Sequence, residues 1–568
     1  MKIRLPKSLS AALLAAIVCQ PTMAGYFQTG AIFGTAPTQS TIKATDIPVT
    51  SDRYAPSAKD GNTTLTLEDG GTIGNALYIR EGALCVKNND VDIQGTNANG
   101  KGYLALSIAG KNSSMEIDGA VVTIKSSKEG SGACAMIGGM DGSGSLSLDN
   151  AAELNIEGGY SIFIGYSGYL DKEAENVGFI NGHASTATTT GDVSKTEDRY
   201  VGTYVSAASG KYGAFGQGIV NVMNGSSLKT GYWGALYMAS GVLNIGKDST
   251  VISAQRTDAR DLNVGSIGHQ DGCTSEINII DGGSLLFNTG LVTGRGHNSR
   301  STINVSGEDS TLTLNMDSYL GRGWNLSFGS YSNDWIPEDS KTVINLTDGG
   351  KAKVKYVSIG TACSAVVNVG QGSSITGMDP AAESNIEVKA SGVVNNQGII
   401  NVDKVTIEGG LLSMQGKNSQ LLTKEVIEVS KGGTLEAAGG DPITVGSDVT
   451  VNDGGIISLK DGSTLAVTGA LTMGSGSILR LSANDYAAGD TLLSSENGDL
   501  DVANATVEVT GGQANYIIKD GVIYLTAVFD NSIAEALTVT NWGIATASRT
   551  FVNAVRGQRT NTGCIANG

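Results

Sequence analysis

The sequence predicts an all-β protein: a right-handed parallel β-helix (β-solenoid) with about 23 residues per coil and one C-terminal α-helix. Two patterns predict the solenoid. An Asn between two apolar residues recurs along the middle of the chain, and Gly, Asn, Asp or Ser stands at each corner between short apolar runs. The composition agrees, because 79 Gly but only 8 Pro among 568 residues, with 16% charged residues, exclude collagen-like and highly charged disordered chains.

The Asn repeat gives the length of one coil. The step from Asn221 to Asn244 equals the step from Asn345 to Asn368, and it defines a unit of about 23 residues, within the range of solenoid repeats. The intervening steps, of 34, 26 and 41 positions, correspond to one such unit with insertions of 11, 3 and 18. Short strands and turn residues in a unit of this length are typical of a solenoid coil. The motifs are Val220-Asn221-Val222, Leu243-Asn244-Ile245, Ile277-Asn278-Ile279, Ile303-Asn304-Val305, Ile344-Asn345-Leu346 and Val367-Asn368-Val369.

The recurrent Asn has two interpretations. It forms either a stacked amide ladder that stabilises the coils or a row that binds a ligand. The ladder is favoured because each Asn lies between two residues that point into the core. A second recurring segment, at 161–165, 263–268 and 356–360, ends in Gly and is interpreted as the next strand of the coil. Two kinds of strand per repeat support a real coil.

The N-terminus has the features of a secretory signal peptide over residues 1–24. Lys2, Arg4 and Lys7 form a basic start, residues 11–18 form a short apolar core, and Thr22-Met23-Ala24 is a cleavage site. Cys19 would suggest a lipoprotein anchor, but the Val before it is unfavourable for one. No later stretch is long and apolar enough for a transmembrane helix. We therefore expect an exported protein, located at the cell surface or outside the cell, or in the periplasm if the chain is truncated.

The remainder divides into five predicted segments. Residues 25–60 form an N-terminal cap, 61–382 a β-helix with loop insertions, and 383–529 a smoother C-terminal β-helix. Residues 530–557 form an amphipathic linker helix that begins with a capping box of Ser532 and Glu535 and ends near Gly557, and 558–568 form a tail. The largest insertions are predicted at about 168–211 and 329–341.

The charge of the chain bears on its partners, and its cysteine and histidine content bears on disulfides and metal sites. Without the signal peptide the chain has 35 basic and 55 acidic residues, so nucleic acid is not expected as a partner. Five mature cysteines are widely spaced and odd in number, which favours small buried side chains over disulfides. No metal site or cofactor is predicted. The three histidines form no ligand pair.

Candidate site residues are few. No nucleophile elbow, phosphate-binding loop or dinucleotide fingerprint is present, so no catalytic residue is predicted. Aromatic residues in or near the insertions would suit a sugar-stacking surface, although isolated aromatics in β structure also serve as packing residues. These are Tyr232, Trp233, Trp324 and Trp335.

The order of these elements resembles the β-helical passenger and linker helix of a Gram-negative autotransporter. The resemblance rests on the signal peptide, the Gly- and Asn-rich repeat, the last strand at 521–525, and the predicted helix around 541–544 and 548–551. It implies a passenger exposed outside the cell and a helix that threads an outer-membrane barrel. The barrel of that family is absent after Arg556, and we expect that the chain is truncated there.

The function predicted from this resemblance is that of an exported surface or extracellular protein, either an adhesin or a structural passenger. Its expected partners are glycans or cell-surface proteins. The alternative is a β-helical polysaccharide lyase or glycoside hydrolase, which would require carboxylates clustered on one coil face. No such cluster is evident in the sequence, and no enzyme activity is predicted.

Overall fold

The computed structural model describes part of the chain, and the fold is given for those residues. They are 39–42, 64–67, 69–73, 77–95, 103–126, 133–139, 143–156, 162–166, 179–180, 183–184, 217–230, 236–253, 265–268, 272–294, 296–321, 326–327, 330–331, 339–378, 383–497, 499–519 and 522–530. The predicted signal peptide, most of the predicted cap, the predicted tail, and all of the predicted linker helix except Asp530 lie outside them.

Each coil contributes one strand to each of three parallel sheets, here termed face 1, face 2 and face 3 in chain order. Two long strands, Leu77–Lys87 and Tyr103–Asp118, run from face 3 into face 1. The other face 1 strands are Gln39–Ile42, Thr64–Leu67, Gly144–Asp149, Gly218–Val222, Gly241–Ile245, Thr274–Ile280, Arg300–Ser306, Lys341–Thr347, Ser364–Val369, Gly392–Asn396, Leu411–Gln415, Thr434–Ala438, Ile456–Leu459, Ile478–Ser482 and Thr506–Thr510.

The face 2 strands are Gly71–Ile73, Val91–Gly95, Val121–Ser126, Glu153–Ile156, Ser227–Lys229, Thr250–Ser253, Ser284–Phe287, Thr311–Leu314, Lys351–Val354, Ser374–Gly377, Ile399–Val402, Gln420–Thr423, Pro442–Gly446, Thr464–Val467 and Thr491–Ser495. The other face 3 strands are Ala133–Gly139, Ile162–Tyr166, Leu236–Met238, Gly265–Ile267, Leu291–Thr293, Ser318–Leu320, Tyr356–Ile359, Asn385–Val388, Lys404–Glu408, Ile427–Ser430, Val449–Val451, Leu471–Met473 and Leu500–Asp501.

The core lies between the three faces. Alternate apolar residues point inward, since successive side chains of a strand point to opposite sides. Val220 stacks in register between Leu146 of the preceding coil and Leu243 of the next, and all three are fully buried. Each such side chain contributes about 1.5–3 kcal/mol on full burial. Coil stacking therefore builds one continuous core, and the predicted parallel β-helix is confirmed. The right-handed winding stays a prediction.

The corner between face 1 and face 2 explains the turn residues of the repeat. Asn224 and Gly225 have φ of 52° and 76°, and Asp281 and Asp348 have φ of 51° and 52°. This left-handed region is favourable for Gly and tolerated by Asn and Asp. Between Leu67 and Thr464 the connections at this corner never exceed four residues.

The structure also refines the count of strands. The segment interpreted as the second strand of the coil lies on face 3, and a short face 2 strand precedes it. Leu154-Asn155-Ile156 has the same pattern as the Asn motifs but lies on face 2. In the coil before Asn221, its register partner on face 1 is Ser147. Within the predicted cap, Gln39–Ile42 pairs in parallel with Thr64–Leu67. The segment boundaries remain predictions.

The parallel stack ends in an antiparallel hairpin. Gly512–Lys519 pairs with Val522–Asp530, which in turn pairs with the last face 2 strand, Thr491–Ser495. The sequence pattern does not distinguish these strands from those of a coil. Two smaller antiparallel pairs, Phe179–Ile180 with His183–Ala184 and Leu326–Ser327 with Ser330–Tyr331, and one 3-10 turn, Ala483–Asp485, complete the described secondary structure.

Candidate functional site

After Leu67, the connections of more than ten residues in the solenoid all border face 3. Between faces 3 and 1, one connection occupies 167–217 and another occupies 321–340. Between faces 2 and 3, the longest occupies 254–264. Because the corner between faces 1 and 2 is tight, face 3 is the sheet that loops flank on both sides. Loops on a rigid scaffold are the usual carriers of binding specificity.

The four aromatic residues predicted for sugar stacking belong to the connections beside face 3. Tyr232 and Trp233 lie in the segment that joins face 2 to face 3 after Lys229, and Trp324 and Trp335 lie in the segment that follows Leu320. All four are outside the described residues, so their role stays a prediction.

Face 3 carries an aromatic pair on its outer side. Tyr319 and Tyr356 come from consecutive coils, with ring centroids 5.9 Å apart and an edge-to-face angle of 64°. Both rings are half-buried. The Tyr356 hydroxyl hydrogen bonds to Glu387 on the next coil, and burial together with this bond raises the pKa of Tyr356. The pair presents a partly accessible apolar surface beside polar atoms.

A network of ion pairs continues the surface toward the C-terminus. The Lys389 ammonium lies 3.0 Å from Glu387 and 2.7 Å from Glu408, and Lys431 also donates to Glu408. Burial would lower the pKa of Lys389, but the two carboxylates outweigh it and raise that pKa. Hydrogen bonds from Lys389 and Lys431 lower the pKa of Glu408 to about 2. Glu408 is therefore ionised throughout the neutral range.

We term this surface the face 3 patch. It extends over five consecutive coils, about 19 Å at the usual strand spacing. Its salt-bridged groups are four carboxylates and four ammonium groups, so these pairs are neutral on a strongly acidic chain. The members are Tyr319, Tyr356, Glu387, Lys389, Asp403, Lys404, Glu408, Lys424, Glu428 and Lys431.

Two carboxyl groups of the face 3 patch lack the property that the acid of a glycosidase requires. A glycosidase needs one carboxyl that stays protonated near neutral pH. Glu408 has a lowered pKa, and the lowered pKa of Asp403 has the same cause, a lysine (Lys424) that donates to it. No group of three or more His, Cys, Asp or Glu side chains in the described part of the chain could hold a metal ion.

The repeated asparagines form a separate row on the outer side of face 1. Each amide donates its Nδ2–H to the Oδ1 of the Asn one coil earlier, over six bonds of 2.8–3.0 Å. The first member donates instead to Ser147 Oγ at 3.3 Å. Since the amides satisfy one another, the arrangement supports the structural interpretation. The row, termed the amide ladder, contains Asn221, Asn244, Asn278, Asn304, Asn345, Asn368 and Asn395.

Three cysteines with described side chains lie outside the face 3 patch and the amide ladder. Cys85, Cys273 and Cys363 are not in disulfides. Cys273 and Cys363 are buried but stand outside the strands, whereas Cys85 points outward from the strand Leu77–Lys87. Within the described ranges, no helix is long and apolar enough to cross a membrane.

Comparison with known proteins adds little to these observations. No family model matches the sequence, and no curated protein matches it. The chain is similar to the crystal structure of a TibC-catalysed, hyper-glycosylated fragment of TibA, with 10% sequence identity and a TM-score of 0.20. The match covers 83% of this chain and 100% of that fragment. A TM-score this low carries no argument, so the β-helix rests on the strand registers alone.

Proposed function

We propose that this chain is an exported, passenger-like β-helix that acts at the cell surface or outside the cell as an adhesin. In this proposal the face 3 patch and the loops beside it bind neutral glycans or glycosylated surface proteins. The observation that carries it is the coincidence of two features on one face. Face 3 alone has long connections at both borders, and it carries the half-buried tyrosine pair.

The chemistry of the patch favours a neutral glycan. Sugars have apolar ring faces that pack on aromatic rings and hydroxyl groups that hydrogen bond to carboxylates and ammonium groups. The chain as a whole is acidic, with 55 acidic against 38 basic residues, and would repel an anionic polymer. The neutral ion pairs of the patch remove that repulsion locally without attracting a charged ligand.

The experiment is binding of the purified full chain to a glycan array, with affinities of the positive glycans measured by calorimetry. Tyr319→Ala should weaken binding about fivefold, because an aromatic contact contributes about 1 kcal/mol. Tyr356→Phe keeps the ring but removes the bond to Glu387, so it should have a smaller effect. Thr311→Ala on the outer side of face 2 is the matched control.

Two outcomes would contradict the proposal. If Thr311→Ala and Tyr319→Ala weakened binding equally, the binding site would not be on face 3. Release of reducing sugar from a bound polysaccharide would instead favour the lyase or hydrolase alternative. Thermal unfolding of each variant separates a lost contact from a lost fold.

A further inference from the structure

The C-terminal hairpin ends in an edge strand of eight residues. Gly512–Lys519 is the outermost strand of the sheet that continues face 2, since Val522–Asp530 joins it to Thr491–Ser495. On its far side no backbone hydrogen bond is formed within the described residues. Such an edge presents N–H and C=O groups that another strand can pair with.

The other described edges of the solenoid are short. At the N-terminal end, face 1 finishes with the four residues Gln39–Ile42 and face 2 with the three residues Gly71–Ile73. At the C-terminal end, face 1 finishes with the five residues Thr506–Thr510, which carry Glu508 at their centre, and face 3 finishes with Leu500–Asp501, which has two residues and ends in an acid. Short and charged edges discourage pairing with another chain. Gly512–Lys519 has eight residues, no Pro and one charged residue at its end.

The same strand carries exposed apolar side chains. Three large apolar residues in the described chain are notably exposed: Ile399 at 37%, Tyr516 at 38% and Ile517 at 49%. Two of them are adjacent on this edge strand, and adjacent residues point to opposite sides of a sheet. Each side of the hairpin therefore exposes one large apolar side chain on this edge strand.

We propose that this edge pairs with the same edge of a second copy of the chain, as an antiparallel two-fold dimer. When two copies of one strand pair antiparallel about a two-fold axis, the residue at the axis lies opposite its own copy. A residue a given number of positions after the axis lies opposite the residue the same number of positions before it in the other copy. With the axis at Tyr516 or at Ile517, Lys519 lies opposite Gln513 or Asn515 of the copy. The Lys519 ammonium therefore does not lie opposite the Lys519 ammonium of the second copy, whereas Tyr516 or Ile517 lies opposite an identical apolar residue.

The test is the mass of the full chain in solution, measured by light scattering after size exclusion and by sedimentation over a range of concentrations. One strand pair is a small interface, so we expect a dimer with a dissociation constant of roughly 10 µM. Ile517→Lys should weaken it at least tenfold. Ile399→Lys is the control, because that residue is also exposed and apolar but lies within face 2 away from the edge.

A second measurement locates the contact. Tyr516→Cys and Ile517→Cys, oxidised at concentrations where the dimer forms, should give a covalent dimer through the introduced cysteine of the variant that lies on the axis. Peptide mapping identifies the linked residues. A wild-type chain that stays monomeric at ~100 µM, ten times the expected constant, would overturn the proposal. So would a dimer that Ile517→Lys leaves unchanged, or linkage only through the native cysteines.

Discussion

Removing one rung of the amide ladder tests whether the repeated Asn is structural. Asn304 donates to Asn278 Oδ1 and accepts from Asn345 Nδ2, both at 2.8 Å. Asn304→Ala removes both bonds, each of which contributes about 0.5–1.5 kcal/mol net. The site is half-buried, so water replaces part of the loss. We expect the local opening free energy to fall by about 1.5 kcal/mol.

Replacing Asn304 by Asp makes the test sharper because the ladder has a direction. A carboxylate still accepts from Asn345, but its other oxygen faces Asn278 Oδ1, which is also an acceptor. Rotating Asn278 alone moves the clash to Asn244, and relief requires Asn278, Asn244 and Asn221 to rotate together so that the Ser147 hydroxyl donates. At pH 7 Asn304→Asp should therefore be less stable than Asn304→Ala. The clash raises the pKa of the new carboxyl, so the penalty disappears as pH falls and the protonated carboxyl donates.

Hydrogen exchange of the strands Thr274–Ile280, Arg300–Ser306 and Lys341–Thr347 is the assay, supported by urea unfolding. Opening of a solenoid depends on contacts between neighbouring coils, so the effect should be greatest in these three strands. Thr302→Ala is the control, since Thr302 points outward from the same strand and is off the ladder. Its cost should stay below about 0.5 kcal/mol. An equal cost for Thr302→Ala and Asn304→Ala would refute the structural role of the ladder.

Three further predictions concern a charge, a corner and a thiol. Glu408 has a lowered pKa of about 2 through Lys389 and Lys431, so its contribution is present above its ordinary pKa of 4.5 and lost as pH falls toward 2. Glu408→Gln should cost about 1 kcal/mol at pH 7 and flatten acid destabilisation in urea titrations. Gly360 and Gly225 share a φ of 76°. A Cβ at Gly360 would lie 1.9 Å from the backbone N of Gly392 in the next coil, whereas a Cβ at Gly225 would have no atom within 4 Å. Gly360→Ala should therefore lower the melting temperature far more than Gly225→Ala, and equal shifts would contradict this account. Burial raises the pKa of Cys363 to about 11, so iodoacetamide should label it only after unfolding, as peptide mapping will test.

How far the sequence predicts the fold is clear from individual asparagines. The six motifs of the repeat all fall on face 1, because strand, turn and insertion lengths keep them in step. Asn155 and Asn401 have similar apolar neighbours but lie on face 2. Asn395 belongs to the ladder, although Asn396 follows it in place of an apolar residue. The local pattern predicts a strand. The face on which that strand lies depends on how many strands and corners precede it along the chain.

The face 3 patch was beyond prediction for a related reason. Tyr319 and Tyr356 are 37 positions apart, and an insertion separates them, so no spacing rule links them. Glu387 and Glu408 likewise meet at Lys389 only because one coil of that region is short. A pair across coils requires the register of both strands. The sequence predicts which side of a strand is apolar, but it does not predict which outward residues become neighbours.

The distribution of loops follows from the same corners. At the corner between faces 1 and 2, left-handed residues such as Asn224 and Asp281 make a turn whose length fixes the start of the face 2 strand relative to face 1. An insertion there would follow directly on the amide ladder and disturb the register that aligns its members. In each coil the two corners beside face 3 follow the face 1 strand and its ladder residue at a greater distance along the chain. These corners contain the long connections at 167–217, 254–264 and 321–340. Face 1 can thus hold the stack in register while the connections beside face 3 vary in length.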